Sequence, residues 1–164
     1  MTENNQTQPT QENNEQMMSL QINSQYIKDL SFEAPGMPQA LLALNEAPEI
    51  GININVNANK VDDKNHYVVD LHISVKADKK DDKKSLFLCE LVYGALATIE
   101  APDTHIEPLL LIEIPHMIFP FSRAIIGNLV REAGFPSLQI NPIDFAALYR
   151  ARLEQKQKEQ GEKR

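Results

Sequence analysis

Several residues in this sequence have side chains able to form a site, and their spacing tests each possibility. Asp62 with Asp63 and Asp81 with Asp82 are paired carboxylates of the sort that hold divalent cations. Neither pair has the ligand spacing or the glycine of a calcium loop, so both read as hairpin turns. His66, His72, His105 and His116 are not spaced like metal ligands, and with Cys89 as the single cysteine a structural zinc site is not expected. Cys89 beside Glu90 has the makings of a nucleophile and a base. Consecutive strand residues face opposite ways, however, so this carboxylate cannot activate this thiol, and Cys89 reads as a small core residue. Asp29 and Glu33 lie on one side of a strand about 13 Å apart, too far to share a proton, and read as a docking surface or as ordinary solubilising charge. No Ser, His and Asp triad is inferable. The sequence has no GxxxxGK or GxGxxG, and six glycines are few for a phosphate-cradling loop. No catalytic residue, metal or cofactor is therefore assigned, and an enzyme is not expected.

The elements that position these residues follow from periodicity. From Ser19 the apolar residues Leu20, Ile22, Tyr26, Leu30 and Phe32 alternate with polar ones, Ile27 excepted, which predicts a strand with one packed and one wet face. Ala34 to Pro48 is a connection rich in proline yet carrying Met37, Leu41, Leu42 and Leu44. It reads either as a lid over the domain's own core or as one wall of an apolar groove. Two further alternating strands run Ile50 to Ala58 and Tyr67 to Ala77, separated by VDDKNH. Ser85 to Ile99 follows the charged ADKKDDKK loop and is apolar in both phases, the signature of a strand covered on both faces by protein or ligand. Short hairpins tie the last three strands into a meander. The first strand is left to lie beside the fourth or beside the second; the long first connection suits a Greek-key return beside the fourth, which would let Asp29, Glu33, Leu88 and Glu90 share a face.

Two helices complete the chain. Ile118, Phe121, Ile125, Ile126, Leu129, Val130 and Ala133 form an amphipathic stripe, with Pro120 expected in its first turn and Gly134 ending it. Ser122, Gly127 and Asn128 lie on its polar side and are small enough for another helix to approach, so that side reads as an interface or as plain solvent surface. A second helix is expected to start with Asn141 as cap, Pro142 in the first helical position and Asp144 near the first turn, with Phe145, Leu148, Tyr149 and Leu153 as its stripe.

Composition bounds the rest. Residues 1–17, rich in Asn and Gln, and residues 154–164, nearly all charged or Gln, are expected to be disordered tails around a single domain of residues 18–153. A formal charge of −7 argues against nucleic acid as the partner. The N-terminus has no secretory pattern, and no apolar stretch approaches the roughly twenty residues of a membrane span, so a soluble cytoplasmic protein is expected.

Four stretches, YIKDLSFEAP at Tyr26 to Pro35, FLCEL at Phe87 to Leu91, FPFSR at Phe119 to Arg123 and GFPSLQINPIDFAALY at Gly134 to Tyr149, occur in the order in which similar text occurs in one family. Over Gln21 to Leu153 the sequence resembles the SecB family, export chaperones of proteobacteria. The resemblance implies an α+β fold: a four-stranded antiparallel Greek-key sheet with two C-terminal helices, assembled into a homotetramer, a dimer of dimers. It supplies a second helix for the face bearing Ser122, Gly127 and Asn128.

The resemblance further implies an ATP-independent holdase. Such a protein binds unfolded preproteins in the cytoplasm, keeps them translocation-competent and delivers them to the SecA motor without inserting into the membrane. Matched position by position, Asp29, Glu33, Leu88 and Glu90 correspond to the acidic face that docks the basic, zinc-bearing tail of SecA; the zinc belongs to that partner. By region, Met37, Leu41, Leu42, Leu44, Phe145 and Tyr149 correspond to the client groove. The C-terminal tail, with Lys156, Lys158, Lys163 and Arg164, departs from the acidic tails common in the family, and the N-terminal extension has no counterpart there. Two other classes are weighed against this one. One is a small-molecule-binding domain or enzyme using the same apolar pocket, with Cys89 or a histidine as reactive group; the other is an assembly protein whose fourth strand merely packs on subunits.

Overall fold

A computed structural model describes residues 18–161 except Ala43 and Asn45, so the Asn/Gln-rich stretch over 1–17 lies outside the described residues. Strand β1 (Ser19–Glu33) leads through a crossover with one helical turn, α1 (Gln39–Leu42), to β2 (Glu49–Lys60), β3 (His66–Asp78) and β4 (Ser85–Glu100). The sheet is antiparallel in the order β1-β4-β3-β2, the Greek key expected from the meander and the long first connection. Both Asp pairs sit in hairpin turns. Asp62 accepts the Lys64 amide at 2.9 Å and Asp82 accepts the Lys84 amide at 3.1 Å, side chains shaping the turn as aspartates commonly do.

One face of this sheet is covered. Alternate residues of β3 and β4, among them Val69, Leu71, Ile73, Val75, Phe87, Leu91 and Ile99, are buried against Ile114, Ile118, Ile126 and Val130 of the following helix. Each such side chain contributes on the order of 1.5–3 kcal/mol through removal from water. Phe32, Phe87 and Phe135 close one end, with the first two rings stacked at 5.4 Å and the last two at 5.0 Å.

That helix starts earlier than its apolar stripe suggests. It runs continuously from Asp103 to Glu132, as α2 (Asp103–Pro108), a π-helical stretch (Leu109–Glu113) and α3 (Ile114–Glu132). Pro120 therefore lies in the helix interior rather than in its first turn. Prolines 108, 115 and 120 bring no amide to the carbonyls behind them, and between the first two the helix widens, the Ile114 amide reaching back to the Leu109 carbonyl. By length and composition this helix is apolar enough to cross a membrane, contrary to the expectation that no stretch is; here its buried side packs on the sheet. Gly134 ends it at φ +86°, with Gly134 donating to the Arg131 carbonyl and Phe135 to the Val130 carbonyl, the paired bonds of a glycine-terminated helix.

The last helix, α4 (Phe145–Gly161), is capped by Asp144 rather than Asn141. The Asp144 carboxylate accepts the Ala147 amide at 2.8 Å. Nor does α4 stop at Leu153, where a structureless tail is expected. Gln, Lys and Glu are good helix formers and carry it on to Gly161, with Lys156 3.8 Å from Glu107. Inside the helix, Arg152 donates to the Val56 carbonyl of β2 at 2.9 Å.

Candidate functional site

The uncovered face of the sheet gathers the four residues matched to a docking surface. In the observed register Glu33 pairs with Leu88, Ser31 with Glu90 and Asp29 with Val92; directly opposed residues share a face. Asp29, Glu33, Leu88 and Glu90 thus stand together on the open side. All three carboxylates are exposed and Leu88 is half-buried among them. The face continues across β3 and β2 as a shallow hollow of about 250 Å³, lined by Asp29, Glu90, His72, Ser74, Asn53 and Asn55. Cys89 points the other way. It is fully buried, and burial, with the nearby Glu90 charge adding to it, pushes its thiol up to about 11, unsuited to nucleophilic work.

The strand that supplies Asp29 and Glu33 is not the uninterrupted alternation its sequence suggests. Register shifts between Ile22 and Ser24 and between Ile27 and Asp29 make Asn23 and Lys28 the extra residues of two β-bulges. Between them the phase inverts. Tyr26 moves to the open face opposite Gly94, while Gln25 moves to the covered face and lies 3.4 Å from the Tyr93 hydroxyl. Both extra residues reach across the open face: Asn23 donates to the Thr98 hydroxyl at 2.8 Å, and Lys28 donates to Asp70 on β3 at 2.5 Å.

β4 is covered by the helix on one face only. On its other face Leu88, Val92 and Leu96 are half-exposed, so the double apolar phase does not correspond to two covered faces within this chain.

The residues matched to a client groove fall into two patches. Leu41 and Leu42 are exposed, Leu42 at 85 %, and Leu41 lies beside Gly134 at the end of α3. Phe145 is buried edge-on against Phe119, 5.7 Å between centroids, and Tyr149 stands beside Glu107 near the start of the long helix. Measured along the long helix at 1.5 Å per residue, Phe145, at Phe119, lies roughly 22 Å from Leu41, at Gly134, and Tyr149, at Glu107, roughly 40 Å. Met37 and Leu44 are half-buried in the crossover. A cleft of about 380 Å³ lies between β2 and α4, lined by Ile54, Val56, Leu111, Leu148, Tyr149 and Arg152. Sequence reasoning missed the exposed apolar side chains Ile27 and Leu30 on the covered side of β1, and Met117 on the helix.

Of the three small residues read as an interface, only Asn128 is exposed. Ser122 is fully buried and donates to the Phe119 carbonyl at 2.9 Å. Its hydroxyl is satisfied one turn back, which lets a polar residue sit on the packed face. Gly127 lies against the Leu138 carbonyl, where a Cβ would approach to 3.2 Å, so its small size serves this chain's own packing. The exposed side of α3 carries Met117, Phe121, Ala124 and Asn128 instead, at steps of four, three and four.

The family described as preprotein translocase subunit SecB matches residues 12–156. This chain belongs to the SecB family. Among SecB relatives, the protein-export protein SecB of Bartonella quintana is 49 % identical over 136 residues, covering 82 % of this chain and 84 % of that one. The protein of the same name from Paramagnetospirillum magneticum is 43 % identical over 149 residues, 90 % and 94 % of the two chains. A solved structure of a Mycobacterium tuberculosis SecB-like chaperone in complex with an antitoxin peptide superposes with a TM-score of 0.64 at 9 % identity, covering 76 % of this chain and 90 % of that one, a likeness of fold. Among the described residues no group of three or more His, Cys, Asp or Glu is placed to hold a metal ion.

Proposed function

We propose that this chain is an ATP-independent holdase that binds unfolded preproteins in the cytoplasm and delivers them to SecA. The segregation of its two sides carries this reading. Asp29, Glu33 and Glu90 group as exposed carboxylates on the open sheet face, while most exposed large apolar side chains, among them Ile27, Leu30, Leu42, Met117, Phe121 and Leu148 but not Tyr26, lie on the covered side of the sheet, the crossover and the helices. An acidic flat surface suits a basic tail, here that of SecA, with Asp29, Glu33 and Glu90 as its anions and Leu88 as an apolar contact. Dispersed apolar patches suit an unfolded chain. An extended stretch of roughly seven residues reaches from Leu41 to Phe145, and one of roughly a dozen from Leu41 to Tyr149. Binding the unfolded state in preference to the native one draws it away from aggregation without any turnover. The stripe of Met117, Phe121, Ala124 and Asn128 supports assembly into a tetramer through paired long helices, because an exposed apolar helix face is normally covered.

Refolding a slow-folding client at near-stoichiometric amounts of this protein, without nucleotide, tests the reading by light scattering. Suppressed aggregation is expected, with calorimetric binding of the unfolded form and none of the folded form. Equal binding of both forms, or no suppression at any ratio, would sink it.

A further inference from the structure

The two bulges of β1 leave this strand with a competing register. Continued without bulges from the Leu20–Ile99 pair, it would slide by two residues against β4 and bring Asp29 opposite Glu90 and Ser31 opposite Leu88. The apolar alternation tolerates that slide. Leu20, Ile22, Leu30 and Phe32 stay on the covered face, with Tyr26 replacing Ile27 there. Lys28 does not tolerate it. In the slid strand its ammonium would enter the covered face opposite the buried Leu91. In the observed strand it crosses the open face to Asp70, a carboxylate only 6 % exposed whose second oxygen has no partner among the described residues. Removing Lys28 would leave a buried charge alone, a strongly unfavourable state.

We propose that the Lys28–Asp70 ion pair is a register lock, and that these are positioning residues for the docking face. The pair selects the bulged register, in which Asp29 faces Val92 and Glu33 faces Leu88, over the slid one, in which Asp29 and Glu90 confront each other as like charges. The consequence for docking rests on the SecA reading above; the lock itself does not.

Cysteine pairs read the register directly, because directly opposed Cβ atoms come within disulfide reach. Ser31→Cys with Glu90→Cys reports the observed register, and Ser31→Cys with Leu88→Cys the slid one. In the parent background only the first pair should cross-link. In a Lys28→Leu/Asp70→Asn background, which leaves no orphaned charge, the second pair should form as well or instead. Without the cysteines, this double variant should stay folded and bind unfolded clients, but bind the zinc-loaded tail peptide of SecA about tenfold more weakly. The charge swap Lys28→Asp/Asp70→Lys should restore both register and affinity. Cross-linking of the first pair alone in the double variant would overturn the lock, as would failure of the charge swap to rescue. Lack of peptide binding by the parent protein would instead overturn the docking reading and leave the cross-linking result to decide the lock.

Discussion

The ring of Tyr26 lies so close over Gly94 that a Cβ on Gly94 would sit 2.6 Å from the ring carbons. The aromatic ring fills the gap that the missing side chain leaves on the open face, and the inverted phase between the two bulges is what brings it there. Gly94→Ala should therefore displace Tyr26 and cost about 1–3 kcal/mol through overpacking. With Tyr26→Ser already in place, most of that cost should vanish. Urea midpoints for the four members of the cycle measure the coupling; additive effects would show that the ring moves aside freely.

Reversing the carboxylates tests the docking face. Asp29→Lys with Glu90→Lys should weaken binding of the SecA tail at least tenfold, more at low than at high salt, and leave client binding nearly intact. Both positions are exposed and make no ion pair among the described residues, so little stability should change. Calorimetry with the tail peptide and with an unfolded client separates the two, and parallel loss of both would indicate unfolding instead.

Asp144→Ala removes the carboxylate that accepts the Ala147 amide. A loss of about 1 kcal/mol is expected, as for other helix caps, with faster hydrogen exchange in the first turn of α4. Asn141→Ala should change neither, since Asn141 lies outside the helix.

Cys89 should behave as an opening reporter. Its full burial and raised thiol predict slow labelling by an aromatic disulfide at pH 8, rising with urea as the sheet opens. Labelling in the native state at the rate of a free thiol would contradict the buried placement.

The Lys28–Asp70 pair has an alkaline signature. Hydrogen bonding to Asp70, and then its charge, raises the Lys28 ammonium above its ordinary 10.5. A raised value means stability fully present below pH 10.5 and lost as pH climbs through the folded value. Lys83 shares that direction through Glu49. Lys28→Arg keeps its charge at these pH values and should flatten part of the fall in Tm between pH 10 and 12; an unchanged slope would count against the pair.

Much of this architecture is legible in the sequence, because strand alternation and turn chemistry are local. β2, β3 and β4, the Greek-key order, the Gly134 stop and the shared face of Asp29, Glu33, Leu88 and Glu90 all follow from local patterns and one topological rule. The misses have physical causes. The bulges are hidden because two of them restore the original phase, leaving Leu20 and Phe32 in step with each other. The long helix is foreshortened because prolines at 108, 115 and 120 imitate helix starts, whereas a π turn lies between the first two and Pro120 sits inside the continuing α-helix. Ser122 looks like surface because a hydroxyl bonded to its own helix carries no polar penalty inside. The two patches of residues matched to a client groove are set apart along a helix whose length periodicity alone does not set.

The bond from Arg152 to the Val56 carbonyl has a consequence for the company this protein keeps. β2 is an outermost strand, and a bare strand margin is a template onto which any extended peptide can zip. A holdase is surrounded by such peptides. By occupying one rung of that ladder with a guanidinium, α4 removes the Val56 carbonyl from those on which such a peptide could pair.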